Sequence, residues 1–213
     1  MKTYYLFDAV TGESAGIYQA QPSPLEAGVY ISPVHSTDIA PPASVAGQVA
    51  VFANGVWTMQ PDFRGQSWYD AKGNAVLISV IGTPPNTLTS TLSAAILLSN
   101  AKKDQNTALT NSCAAAIVSG FTSSALGAAH IYPTQPADQT NLIGAVASGL
   151  ATINFWCADS AGVWSFASHT AAQIKQVMAD GGAQRMAYSA KLAGLAAQVT
   201  DATTVAAVQA VVW

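Results

Sequence analysis

Short runs of alternating apolar and polar residues occupy the first part of the chain and predict β-strands. Residues 4–9 and 16–20 are rich in aromatic and β-branched side chains, and Thr11-Gly12 between them is a turn signal. Residues 21–44 carry five prolines, which lack the amide donor that an interior strand needs. We therefore expect an extended connector there, with at most one strand, at residues 29–32.

Two hairpins are predicted next. Residues 48–53 and 56–60 flank Asn54-Gly55, a pair that favours a type I′ turn because both central residues need positive φ. Residues 66–81 contain the second hairpin. We expect the strands of both hairpins to join in one antiparallel meander.

The spacing of apolar residues changes after residue 86 to three and four positions, which predicts helices. Leu88, Leu92 and Ile96 begin a helical stripe. The stripe either continues through the polar residues 100–106 or breaks there, and Gly120 is placed to end it.

Strands and helices alternate in the prediction for the rest of the chain. The expected elements are a strand, a helix and a hairpin, at residues 123–132, 135–150 and 153–167. Thr170 and Gln173 then form a capping box. The threonine hydroxyl accepts a hydrogen bond from the backbone amide of Gln173, and the glutamine side chain accepts one from the backbone amide of Thr170. The helix that they begin is expected to weaken at Gly181-Gly182, with a second helical piece at residues 184–198.

These elements predict an α+β chain of two modules. We expect a small antiparallel β domain at residues 1–86 and a helical linker at 87–106. An α+β domain at 107–213 follows, with helices covering one face of a small antiparallel sheet. Hydrophobic residues make up 50% of the chain, which is enough to bury a core.

Charged residues are scarce, at 9% against roughly 25% in an average soluble protein. A surface rich in Ser, Thr, Asn, Gln and Ala suits a protein that works in contact with another protein. The net charge of -3 and the lack of clustered Lys and Arg argue against nucleic acid as a partner. No apolar run approaches the ~20 residues of a membrane helix, and Asp8 and Glu13 interrupt any signal peptide, so no membrane insertion is expected.

The sequence contains no recognisable catalytic constellation. The histidines are scattered and lack the spacing of metal ligands: His35, His130 and His169. The acidic residues fall mostly at turns or caps, and Asp62 is interpreted as pairing with Arg64 or organising a turn. Cys113 and Cys157 lack a CxxC spacing, so two buried thiols are expected. We expect no enzymatic activity, no metal and no cofactor.

Aromatic residues are the remaining candidates for a functional surface. Four of them fall within a short stretch of the β domain: Trp57, Phe63, Trp68 and Tyr69. An antiparallel sheet commonly keeps one face in solvent, so we do not expect a sheet of this size to bury all four. Each is either part of the core or an interface anchor, and such rings also stack on sugars. Trp156, Trp164 and Trp213 are expected in the core of the second module.

Two parts of the chain resemble phage proteins. Residues 47–57 and 62–69 resemble the tail fibre assembly proteins of tailed bacteriophages, with Asp-Phe-Arg-Gly-Gln at 62–66 as the more specific string. The second half, including Phe-Trp-Cys-Ala-Asp at 155–159 and His-Thr-Ala-Ala-Gln-Ile at 169–174, resembles a small phage-tail domain often fused behind such segments.

The resemblance implies a chaperone for the C-terminal, receptor-binding tip of a trimeric tail fibre. Such a protein acts in the host cytoplasm during assembly, and we expect it to stay at the fibre tip on the virion. The residues expected to contact the fibre are Trp57, Phe63, Arg64, Trp68 and Tyr69. The alternative is a receptor-binding module at the fibre tip, whose aromatic side chains contact a cell-surface glycan.

Overall fold

The computed structural model describes all 213 residues and divides them into two compact units. Unit 1 is Met1–Ser93 and unit 2 is Ala94–Trp213. The regular elements of unit 1 are all strands, whereas unit 2 contains the helices and a four-stranded antiparallel sheet. The predicted α+β class is confirmed. The predicted domain limits at residues 86 and 106 stay a prediction.

Unit 1 contains one three-stranded sheet and two hairpins. The sheet has the order β2-β1-β3, with β1 (Lys2–Phe7), β2 (Ser14–Ala20) and β3 (Ser36–Thr37). The connector at residues 21–44 contains one strand, β3, but the position expected for it is wrong, because residues 29–32 make only an isolated bridge between Pro22 and Tyr30. Prolines on both sides of it prevent a longer ladder.

Both predicted hairpins of unit 1 are present. The strands pair as β4 (Gln48–Ala53) with β5 (Val56–Pro61), and β6 (Ser67–Tyr69) with β7 (Ala75–Leu77). Asn54 and Gly55 have positive φ values of 52° and 83°, as a type I′ turn requires. The expected single meander is wrong, since the hairpins form separate two-stranded sheets. Pro61 and the positive φ of Gly65, 79°, redirect the chain between them.

The elements of unit 2 are α1 (Ala94–Ile117), β8 (Phe121–Ser123), β9 (His130–Tyr132), α2 (Pro136–Ala147), β10 (Thr152–Ala158), β11 (Trp164–Thr170), α3 (Ala171–Asp201) and α4 (Val205–Gln209). The helices pack against an antiparallel sheet with the strand order β11-β10-β9-β8. The long helix α3 contacts α1, α2, α4 and the sheet, so it is the central element of the unit.

Some elements of unit 2 differ from the prediction. The single strand expected at residues 123–132 is a hairpin, because Gly127 has a positive φ of 88° and donates its amide to the carbonyl oxygen of Ser124. The helix α1 continues through residues 100–106. The two helical pieces expected around Gly181-Gly182 form one helix of 31 residues, α3.

Gly181 allows the ring of Phe121 to approach α3 closely, and it does not break the helix. A Cβ added at Gly181 would lie 2.8 Å from Cζ of the buried Phe121, whereas one added at Gly182 meets no atom within 4 Å. The capping box predicted at the start of α3 is confirmed. The Thr170 hydroxyl accepts from the Gln173 amide at 3.3 Å, and the Thr170 amide donates to the Gln173 side chain at 2.8 Å.

Buried apolar side chains are distributed unevenly between the units. Unit 2 holds eleven of the fifteen buried hydrophobic residues, and eight of these form two clusters, one where α3 meets α1 and α4 and one where it meets the sheet. Unit 1 holds the other four: Ala20, Ala50, Val51 and Ile78. None of these is aromatic, so every aromatic side chain of unit 1 retains some exposure.

We expect Gly181→Ala to lower the free energy of unfolding of unit 2 by about 1–3 kcal/mol, because overpacking against Phe121 outweighs the gain in helix propensity. Gly182→Ala is the matched control and should raise it by about 0.5–1 kcal/mol. Urea unfolding followed by the helical circular dichroism signal reports on unit 2, which contains the helices. Equal effects of the two substitutions would contradict the close approach.

Candidate functional site

The four aromatic residues predicted to bind a partner lie in separate groups within unit 1. Trp57 on β5 is half-buried, with its ring centroid 6.4 Å from that of Phe7 and 5.1 Å from that of Phe52. Its Nε1 donates a hydrogen bond of 2.8 Å to the carbonyl oxygen of Ile39. Trp57 is therefore held in one orientation while part of its ring stays accessible.

Phe63 and Trp68 form a second group. Their rings pack edge to face with centroids 5.3 Å apart, and both side chains are half-buried. The Trp68 Nε1 is buried and has no hydrogen-bond acceptor. Tyr69 follows in β6, where its backbone exchanges hydrogen bonds of 2.8 and 2.9 Å with Thr89. The structure thus brings Phe63 and Trp68 together, without a ring contact to Trp57.

Arg64 directs its guanidinium to two carboxylates of unit 1. Its Nε and Nη2 donate to Asp62 at 2.8 and 2.7 Å, and its Nη1 and Nη2 donate to Glu13 at 2.9 and 2.8 Å. One side chain thereby ties the turn after β5 to the turn before β2. The pairing of Asp62 with Arg64 is confirmed, and contact of Arg64 with a partner stays a prediction.

Arg64 controls the protonation of its neighbour. Hydrogen bonds from the side chain and backbone of Arg64 lower the pKa of the Asp62 carboxyl to about 2. In Arg64→Gln we expect this pKa to rise toward its ordinary value of 3.8, because the guanidinium charge and its paired donors are lost. Carboxyl NMR titration measures the change. An unchanged Asp62 pKa in Arg64→Gln would contradict the pairing in solution.

Unit 2 exposes three aromatic side chains on one side of the β10–β11 hairpin. Trp156, Trp164 and Phe166 are 40%, 43% and 69% exposed, and we call them the aromatic face. The two indole rings stack with centroids 6.1 Å apart, and the Phe166 ring lies 5.0 Å from that of Trp156. The expectation that Trp156 and Trp164 belong to the core is wrong. Trp213 does pack against a core cluster, where it is partly buried.

Strand register explains why these rings point outward. Trp156 pairs with Phe166, so both side chains leave the sheet on the same side. The alternate residues Phe155 and Cys157 belong to the core on the other side, close to α3. Since β10 carries large apolar side chains on both sides, alternation separates its two faces without showing which is buried. The signal that the sequence offers for the aromatic face is that Trp156 and Phe166 pair in this hairpin and so share one of its faces.

Tyr132 and His169 form a buried hydrogen-bonded pair in unit 2. The Tyr132 hydroxyl lies 2.9 Å from Nε2 of His169, and Nδ1 lies 2.8 Å from the carbonyl oxygen of Ala167. Because a carbonyl only accepts, Nδ1 carries the proton and Nε2 accepts from the tyrosine. Both side chains are fully buried, so the pair stabilises the fold and is closed to a substrate.

We expect unit 2 to lose stability as the pH falls below about 6.5, the ordinary pKa of histidine. Burial lowers the pKa of His169 in the folded chain. The unfolded chain therefore takes up a proton that the folded chain does not, and the free energy of unfolding decreases from that pH down to the folded pKa. Urea unfolding across a pH series measures this. If His169→Gln keeps the same pH dependence, another group is responsible.

Three further features concern the cysteines, the groups that could bind a metal ion, and the hydropathy of the helices. Cys113 and Cys157 are free, buried thiols, as predicted. No group of three or more His, Cys, Asp or Glu side chains is placed to hold a metal ion. None of the helices combines the length and hydropathy needed to cross a bilayer.

Two kinds of known protein are similar to this chain. Residues 100–212 match the family described as "Domain of unknown function (DUF4376)". A 60-residue segment is 48% identical to the prophage tail fiber assembly protein homolog TfaR of Escherichia coli K12, and 47% identical to the tail fiber assembly protein of Escherichia phage lambda. Each match covers 27% of this chain and 31% of the relative, so it spans less than a third of these relatives. No solved structure matches the chain.

Proposed function

Because the chain belongs to the DUF4376 family and is similar over 60 residues to tail fibre assembly proteins, we propose that it assists the assembly of a phage tail fibre. It acts in the host cytoplasm as a non-enzymatic chaperone that binds the C-terminal tip of the trimeric fibre. It then stays with the fibre on the virion. The similarity to the two assembly proteins is the observation that carries this proposal.

Unit 1 is the proposed fibre-binding part. It contains both strings that resemble assembly proteins, residues 47–57 and 62–69. It also buries only four hydrophobic residues, so rings such as Phe63 and Trp68 stay half-exposed. A fibre segment that covers them would remove apolar area from water, which is favourable by about 25 cal/mol per Å².

The contact with the fibre is proposed to protect unassembled chains. Chains that have not yet trimerised expose the apolar surface that they later bury against one another, and such surface aggregates. Unit 1 covers part of it until three chains are in register. Phe63 is suited to this role because the turn that contains it is anchored to Glu13 by the hydrogen bonds of Arg64. Little of this turn therefore has to become ordered when the fibre binds.

A lasting complex suits the composition of the chain. Charged residues make up 9% of it, and a subunit with so few charges is less soluble alone than in a complex. The interface is therefore proposed to persist after the fibre has trimerised.

The proposal is tested by co-expressing the full chain with the C-terminal region of the tail fibre from the same phage. Size-exclusion chromatography with light scattering gives the mass and stoichiometry of the product. We expect a trimeric fibre that elutes with this chain. A fibre that trimerises equally well alone, and elutes without the chain, would contradict both assistance and retention.

Substitutions test whether unit 1 makes the contact. We expect Phe63→Ala or Trp68→Ala to weaken fibre binding by about tenfold or more, as loss of an aromatic anchor commonly does. Trp164→Ala is the matched control, since it removes an exposed aromatic ring from unit 2. Thermal unfolding of each variant separates lost binding from lost folding, and Phe63→Leu, which keeps apolar bulk, should bind better than Phe63→Ala. Folded unit 1 variants that bind like the original chain would exclude this surface.

A further inference from the structure

Unit 2 contains a cavity of about 570 Å³ between α2 and the β10–β11 hairpin. This volume lies within the range of about 300–1,000 Å³ that is typical of small-molecule sites. Trp156 and Phe166 of the aromatic face form part of its wall. Their rings are tilted by 58° to one another, so they present two aromatic surfaces in different planes.

The cavity exists because strand pairing along β10 is incomplete. Only Ala158 of β10 pairs with β9, through Ile131. No strand covers the edge of β10 from residue 152 to residue 157, and residues of α2 form the opposite wall of the cavity there. Concave space beside a strand edge and a helix is thus part of the fold.

Polar groups with unused hydrogen-bonding capacity line the same cavity. Oδ2 of Asp138 accepts a hydrogen bond of 3.0 Å from the backbone amide of Gln135, and Oδ1 of Asp138 makes no hydrogen bond. Asn141 on α2 and Asn154 on β10 also line the cavity, and their side-chain amides make no hydrogen bond within the chain. Each amide offers both donors and an acceptor. The cavity therefore combines apolar ring faces with free polar groups of both kinds.

This combination matches the chemistry of a sugar ring. One side of a pyranose carries C–H groups of partial positive charge, which pack on the negative face of an aromatic ring. Its edge carries hydroxyl groups, each both a donor and an acceptor, which amide and carboxylate groups can bind. The lining includes one carboxylate, Asp138, and no Lys, Arg or His, so phosphorylated or acidic sugars are disfavoured.

We propose that this cavity is a binding site for a neutral saccharide. Trp156 and Phe166 supply the stacking surfaces, and Asp138, Asn141 and Asn154 bind the hydroxyl groups. This site is in unit 2 and its sugar-binding chemistry does not rest on the fibre-assembly role proposed for unit 1.

The test uses the full chain without any fibre, so its result is independent of the assembly experiment. Methyl glycosides of neutral hexoses and N-acetylhexosamines, and neutral disaccharides, are titrated while saturation-transfer NMR and tryptophan fluorescence are recorded. We expect saturable binding by at least one of them. Glucose 6-phosphate and methyl glucuronide serve as charged comparisons, and we expect them to bind at least about tenfold more weakly, or 1.4 kcal/mol.

Variants locate the binding in the cavity. Phe166→Ala and Asn141→Ala alter exposed side chains and are expected to weaken binding by about tenfold each. Ile143→Ala is the matched control, because Ile143 is exposed on α2 and does not line the cavity. Three results would overturn the proposal: no binding by any neutral saccharide, binding that both cavity variants retain, or tighter binding of the charged sugars.

Discussion

Burial of apolar side chains is the constraint on which the rest of this structure depends, and the two units meet it to different degrees. In unit 2 the long helix α3 supplies Ile174, Val177 and Val199 to a closed interior. In unit 1 the strands are short and the largest buried side chain is that of Ile78. The difference follows from architecture, because a helix packed on a sheet covers one whole face, whereas two-stranded hairpins leave most of their surface open.

The same constraint explains where functional surfaces can lie. The inner side of the unit 2 sheet is filled by Phe121, Tyr132 and Cys157, which pack against Val177 of α3. Its outer side and the free edge of β10 are uncovered, and that is where the aromatic face and the cavity lie. In unit 1 the aromatic side chains form a core that is only partly buried. The partner-binding role proposed for unit 1 and the ligand site proposed on unit 2 thus rest on two different folds.

Features set by a few neighbouring residues could be predicted from the sequence. The Asn54-Gly55 turn and the Thr170 capping box are local, since the groups that define them lie within four positions of one another. The need for glycine at position 181 of α3 could not be predicted, because it comes from the close approach of Phe121, which is distant in sequence. The exposure of Trp156 likewise depends on which side of the sheet α3 covers, a tertiary choice that alternation within β10 leaves open.

Amide hydrogen exchange of the full chain, alone and bound to the trimeric fibre tip, tests the role of unit 1 most directly. Exchange reports local opening, which is easiest where few apolar contacts are buried. Without the fibre, amides of residues 57–69 are expected to exchange much faster than those in the middle of α3. With the fibre, residues 57–69 should gain protection while α3 changes little. Protection gained only in unit 2, or none at all, would contradict fibre binding by unit 1.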